Sequence, residues 1–189
     1  SCLLVRATIA FIREYGFGKL YPTRIAVKGR ENMEVVKEVK DALNKVVTAE
    51  LGAINQYFLH ARALRHWGYE PLGKHIYKRS IEVMRLCDDL IQRIFIVEGL
   101  PNLQRIDKIL VGQTVKEVLE GDVHAEKNLH QALLGAIEIT HSHQDFVTEH
   151  LLINHQKATE DYLDWLEEEL SLFTTMGEQN YLERMAFSD

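Results

Sequence analysis

The feature that most constrains this chain is a three-then-four apolar rhythm that recurs in four long segments. In the first, Val36, Val39, Leu43, Val46, Glu50, Ile54, Tyr57, Ala61 and Leu64 fall on one face of a helix that ends near Gly68. A second stripe runs through Ile76, Ser80, Val83, Leu86, Leu90, Ile94 and Val97 and is closed by Gly99 and Pro101. Val115, Leu119, Asp122, Glu126, Leu129, Leu133 and Ala136 make a third; Thr148, Leu152, His155, Thr159, Tyr162, Leu166 and Phe173 make a fourth. Residues 98–114 carry no sustained period and read as a connection that runs the length of a bundle. The chain is therefore expected to be all-α, with one long crossover between two helical hairpins, unlike cytokine bundles, which need two crossovers. Beyond Gly177, residues 179–185 predict a short fifth helix.

With 189 residues, 46% of them hydrophobic, the chain can bury one core but not two ordinary ones. Its formal charge of −6 excludes the global basic field that a nucleic-acid partner would require. No apolar run approaches the roughly 20 residues of a membrane span, so a soluble protein is expected. Cys2 and Cys87 are the only cysteines, which gives no disulfide framework and fits a reducing compartment. Residues 1–32 form a basic N-terminal extension, with Arg6, Arg13, Lys19, Arg24, Lys28 and Arg30 against Glu14 and Glu31. Such a bias suits a targeting remnant or an arm that docks on a neighbouring subunit. The folded domain is expected over residues 33–189.

A second apolar face lies outside the bundle stripe: Leu51, Asn55 and Phe58 on the first helix, Tyr77, Ile81 and Met84 on the second. A soluble bundle covers such a face with another subunit. Two carboxylates also interrupt apolar stripes, Glu50 on the first helix and Glu126 on the third. A buried carboxylate costs several kcal/mol unless it is paired or metal-bound, so each is a candidate metal ligand.

Four segments then carry a resemblance. Glu50-Leu-Gly-Ala-Ile-Asn-Gln-Tyr-Phe-Leu-His-Ala-Arg62, Trp67-Gly68, Glu98-Gly-Leu-Pro-Asn-Leu-Gln104 and Asp164-Trp-Leu-Glu167 resemble the signatures of bacterioferritins, over about residues 33–185. The resemblance implies a ferritin-like four-helix bundle, assembled through two-fold dimers into a hollow cage that stores iron as an oxidised mineral. It also implies one haem b per dimer, with Met84 of each subunit as axial ligand. Leu51, Ile54, Asn55, Phe58, Tyr77 and Ile81 would line the haem pocket, with Arg85 near a propionate.

Ferritin-like di-iron sites take one Glu from each of two helices and a Glu-x-x-His step from each of the other two. The resemblance places Glu50 and Glu126 at the single-Glu positions. Where the two steps belong, however, stand Val83-Met84-Arg85-Leu86 and Thr159-Glu160-Asp161-Tyr162. Four of the six expected ligands are replaced. Glu82 and Glu160 cannot substitute, because one residue along a helix turns a side chain by about 100°. Val83 and Leu86 are expected to restore a dry apolar stripe, His155 to be a hydrogen-bonded core residue, and Glu138-Ile-Thr-His141 to be a surface coincidence. Without iron, Glu50 and Glu126 should show a raised pKa on one of them, or hydrogen bonds to Tyr57 and Tyr162.

These readings lead to a haem-bearing storage and electron-transfer subunit with no catalytic residue and at most residual iron binding. Its expected partners are a second copy across the haem, a larger cage or hetero-oligomer containing a ferroxidase-active subunit, and a redox protein. Its compartment would be the cytoplasm in a bacterium or the mitochondrial matrix in a eukaryote. Two alternatives stay open: recruitment into a larger complex as a haem-binding or structural subunit without iron storage, and an enzyme with an altered metal site at Glu50, Glu126 and His155.

Overall fold

The structure, a computed structural model, describes residues 37–186. The basic segment 1–32 and Val36 therefore lie outside the described residues. Five helices follow one another: α1 (Lys37–His66), α2 (Glu70–Ile96), α3 (Val115–Ser142), α4 (Phe146–Met176) and the short α5 (Glu178–Ala186). α1 packs against both α2 and α3, α3 against α4, and α5 rests on α4 and α2. This is the four-helix bundle with one crossover and a small terminal helix that the four stripes predict.

Every stripe residue expected on α1 from Val39 onward, on α3 and on α4 is buried. The α2 stripe departs at Leu86, which is half-buried, whereas Cys87 and Arg79 are buried. Local chemistry sets the ends. Pro71 opens α2, where its missing N–H is harmless. Thr114 and Asp145 cap α3 and α4 by accepting the backbone N–H of Glu117 and Thr148. At the α1–α2 joint Gly68 adopts φ 94°, the left-handed conformation that lets the chain reverse after a helix.

The crossover is fastened to α1 by a ladder of hydrogen bonds. The Asn44 amide donates to the carbonyl of Leu100 (3.2 Å), and its Oδ1 accepts the N–H of Asn102 (2.8 Å). The N–H of Asp107 donates to the carbonyl of Thr48 (3.3 Å). Gln56 Oε1 accepts from the N–H of Leu110 (2.8 Å), and His60 Nε2 from that of Gly112 (3.2 Å). Asn44, Thr48, Gly52, Gln56 and His60 are spaced by four, so they share one face of α1. Gly52 belongs to the series because a Cβ there would lie 3.1 Å from the Cβ of Asp107. Irregular backbone against a bundle needs partners for its polar groups, and this face supplies them. Among the described residues no helix is long and apolar enough to cross a membrane.

The tightest approach in this region is at Gly112, where an added Cβ would lie 2.6 Å from the backbone nitrogen of Val118. Gly112→Ala should therefore lower stability by about 1–3 kcal/mol. Gly135 has nothing within 4 Å of such an atom; Gly135→Ala in mid-helix should instead raise stability by up to about 1 kcal/mol. Urea unfolding of the two variants beside the parent measures both.

Candidate functional site

The polar members of the four stripes meet at the middle of the bundle. α1 brings Glu50 and Tyr57, α3 brings Glu126, and α4 brings His155, Thr159 and Tyr162, all buried. α2 brings a residue that the stripe pattern did not single out, Arg79, whose side chain is 1% exposed.

Arg79 and Glu126 form a two-point pair. Arg79 Nε donates to Glu126 Oε1 (2.9 Å) and Nη2 to Glu126 Oε2 (3.0 Å), the fork geometry that a guanidinium offers a carboxylate. The third nitrogen, Nη1, reaches outward to Glu82 Oε2 (3.0 Å), whose side chain is 54% exposed. The guanidinium also lies 4.9 Å from the centre of the Tyr162 ring, in cation–π range. Tyr57 donates its hydroxyl to Glu126 Oε1 (2.8 Å). Burial raises the pKa of the Glu126 carboxyl, while Arg79 and Tyr57 draw it back. Burial, and then the neighbouring carboxylates, hold the phenols of Tyr57 and Tyr162 protonated.

Glu50 is engaged separately. Its Oε1 accepts from His155 Nδ1 (2.8 Å), whereas Glu50 Oε2 and His155 Nε2 are buried with no hydrogen-bond partner among the described residues. The nearby Cys87 thiol is pushed up by burial, and further by Glu50.

Expectation and structure part company here on a physical point. Val83 is buried, but the centre of the bundle is not a dry apolar stripe, because Arg79, one turn before Val83, fills it with a charge. The signal was present in the spacing: position 79 is four residues before position 83, and so on the same helix face. Of the two hydrogen bonds expected for the residual carboxylates, the one from Tyr57 to Glu126 forms. The Tyr162 hydroxyl finds no hydrogen-bond partner among the described residues, and its ring stacks with Trp165 at 5.2 Å. His155 has the hydrogen-bonded core role foreseen for it. Glu138 and His141 are exposed, with His141 bonded to Glu149 (3.1 Å). Glu160 is exposed too, and is bonded to His130 and Gln156. Among the described residues no group of three or more His, Cys, Asp or Glu side chains is placed to hold a metal ion. The donors that remain do not fit a di-iron centre.

The second face behaves differently. Leu51, Asn55, Ile81 and Met84 are half-buried, and Arg85 is exposed. Phe58 is 41% exposed and Tyr77 37% exposed, large apolar rings left at the surface of α1 and α2. Ile54 departs from this set by lying in the core behind the face, where its carbonyl accepts the Ser80 hydroxyl (3.1 Å) and ties the two helices together. The Arg62 guanidinium sits 5.1 Å from the Phe58 ring centre and 4.9 Å from that of Tyr77. A soft thioether set among apolar and aromatic side chains is chemically suited to a haem iron.

The pairing in the bundle centre can be tested by removing its cation. Arg79→Met should lower stability by about 3–5 kcal/mol, because Glu126 is left buried and unpaired. The loss should be larger at pH 8 than at pH 5. Without Arg79 the Glu126 pKa rises further, so the folded variant takes up a proton that the unfolded chain does not, and stability falls as pH rises. Pairing Arg79→Met with Glu126→Leu should recover most of the loss and remove the pH dependence, as read from urea unfolding at the two pH values.

A ferritin-like domain matches residues 40–176 of the chain. The chain is 40% identical to the bacterioferritin of Brucella melitensis over 144 residues, which is 76% of this chain and 89% of that protein. It is 39% identical to the bacterial ferritin of Pseudomonas aeruginosa over 147 residues, 77% of this chain and 95% of that protein. A Mycobacterium bovis bacterioferritin is 36% identical over 144 residues, 76% of this chain and 91% of its own length. A likeness that spans both hairpins and the crossover means that this chain belongs to the bacterioferritins within the ferritin-like family.

Proposed function

We propose that this chain is the haem-carrying subunit of an iron-storing bacterioferritin cage, in which it conducts electrons to stored iron and leaves the oxidation of incoming Fe²⁺ to a partner subunit with a complete di-iron site. The observation that carries this reading is the Arg79 guanidinium bound in two-point fashion to Glu126 at the bundle centre. A carboxylate that would otherwise face a metal is matched by a cation that never changes oxidation state. Glu50, turned to His155, is likewise engaged.

Iron storage is supported by the bacterioferritins that the chain resembles over most of its length. The haem role rests on the face of α1 and α2. Met84 would hold the haem iron through its sulfur, one from each copy of a dimer. A bound haem b would supply one-electron chemistry, and a neutral thioether favours the ferrous state and raises its potential. Leu51, Ile81, Phe58 and Tyr77 would exclude water from it, Ile54 would back the pocket from the core, and Asn55, its amide tied to the carbonyl of Leu51 (2.7 Å), would stand beside it. Arg85, exposed next to Met84, is the cation available to a propionate. Assembly would also cover other apolar surface, including Phe146 and Val147 at the start of α4, which are exposed.

An absorption spectrum, metal analysis and aerobic Fe²⁺ oxidation kinetics on one preparation of the full chain test the proposal. About one haem per two subunits, no oxidation above the buffer rate, and loss of haem in Met84→Leu are expected. Absence of haem in the parent protein would reduce Met84 to packing. Rapid oxidation by the parent alone would mean that Glu50 and Glu126 bind iron after all.

A further inference from the structure

One buried polar cluster plays no part in the proposed function. It lies where α1, α3 and the end of the crossover meet, and consists of Gln56, His60 and Asp122 with the backbone of residues 110–112. His60 and Asp122 are fully buried, and Gln56 nearly so. His60 Nδ1 lies 2.7 Å from Asp122 Oδ1, and His60 Nε2 lies 3.2 Å from the backbone nitrogen of Gly112. A backbone N–H can only donate, so Nε2 must be the acceptor. The ring is therefore neutral, with its proton on Nδ1 donated to the Asp122 carboxylate. Gln56 repeats this logic: its Nε2 donates to Asp122 Oδ1 (3.0 Å) and to the Gly121 carbonyl (2.9 Å), while its Oε1 accepts from the N–H of Leu110 (2.8 Å).

This arrangement tolerates only one protonation state. A second proton on His60 must go to Nε2, where it would confront the N–H of Gly112, and Gly112 is buried. Both donors would then lack acceptors in a site closed to water, unless the crossover moved away. The charged and titratable groups around the ring do not change this outcome. On α3, Asp122 faces Nδ1; burial raises its carboxyl above the usual range while His60 and Gln56 draw it back, and its Oδ2, which has no hydrogen-bond partner among the described residues, can take a proton without disturbing the contact at Nε2. On α1, the Tyr57 phenol stays protonated under burial and the charge of Glu126. From α2, Arg79 is taken up by Glu126, and from α4, Tyr162 is a neutral phenol. The crossover meets the ring with the backbone N–H of Gly112.

We propose that His60 is an acid-sensitive latch, which holds the crossover backbone at Gly112 on the bundle while its ring is neutral and releases it when Nε2 takes a proton. The release is local, because Gln56, Thr48 and Asn44 fasten the crossover by groups that do not titrate. The proposal is independent of haem or iron binding.

Amide hydrogen exchange by mass spectrometry on the assembled protein, from pH 7.5 to pH 5 and corrected for the intrinsic rates, tests it. Exchange at Gly112 should accelerate with falling pH by up to about tenfold per pH unit, as linkage to one proton requires, while Leu110, held by Gln56, should lag behind it. The buried helical amide of Leu129 should not follow. Nitrogen NMR of the ring should find the Nδ1-protonated neutral form at pH 7.5. In His60→Gln the amide can donate to Asp122 and accept from Gly112 at every pH, so the acceleration should vanish. If His60→Gln does not assemble, the wild-type exchange profile and ring tautomer decide alone. A profile at Gly112 that stays flat with pH, an equal acid response in His60→Gln, or the opposite tautomer would each overturn the proposal.

Discussion

The whole bundle is organised around a charge pair buried at its centre, because the four helices can close only if every polar group they trap is answered inside. Glu126 is trapped completely. Arg79 on the opposite helix reaches across with two nitrogens and spends a third on Glu82 near the surface, so one side chain spans from the core to the solvent. Tyr57 completes the set of donors. The pair thereby links α2 to α3, which otherwise belong to different hairpins, and does so where no apolar side chain could satisfy the carboxylate. A buried pair of this kind is weak evidence for net stability, since desolvation offsets much of the attraction. Its geometric consequence concerns register: helices that slide by one turn lose both hydrogen bonds together.

Most of the architecture was legible in the residues. The buried faces of α1, α3 and α4 followed the three-then-four rhythm, since a helix with one apolar stripe has only one way to turn toward a core. The crossover was legible as a gap in that rhythm, and α5 as a segment beyond Gly177. What escaped was the identity of the charge at the centre. An arginine four residues before Val83 reads as an ordinary solvated cation until it is known that a lone glutamate waits opposite, and helical period alone does not state which stripe residues face each other. Leu86 was misplaced for a related reason. α2 turns Cys87 rather than Leu86 fully inward, a rotation that the period tolerates but does not dictate.

α1 has three distinct duties on three faces. One face enters the core, one presents Leu51, Asn55 and Phe58 beside Met84, and one carries the Asn44, Thr48, Gly52, Gln56 and His60 series against the crossover. The third face was not anticipated, because polar residues spaced by four on a helix look like a solvated surface. They are instead the partners that an irregular segment requires in order to lie along a bundle without orphaned backbone groups. Gly52 within that series is a matter of clearance rather than flexibility, since Asp107 passes where a side chain would stand.

The fork between Arg79 and Glu126 also constrains the routes by which such a chain could change. Placing a glutamate at position 83 alone would add a second carboxylate beside the guanidinium, and would extend the ion pair rather than create a cavity for a cation. Replacing Arg79 alone would strand a buried charge. Neither single step leads toward a metal site without loss, and the two would have to arrive together with changes at Leu86, Thr159 and Tyr162. The arginine thus couples these positions, because the charge it answers at Glu126 and the space it fills at the bundle centre can be given up only together.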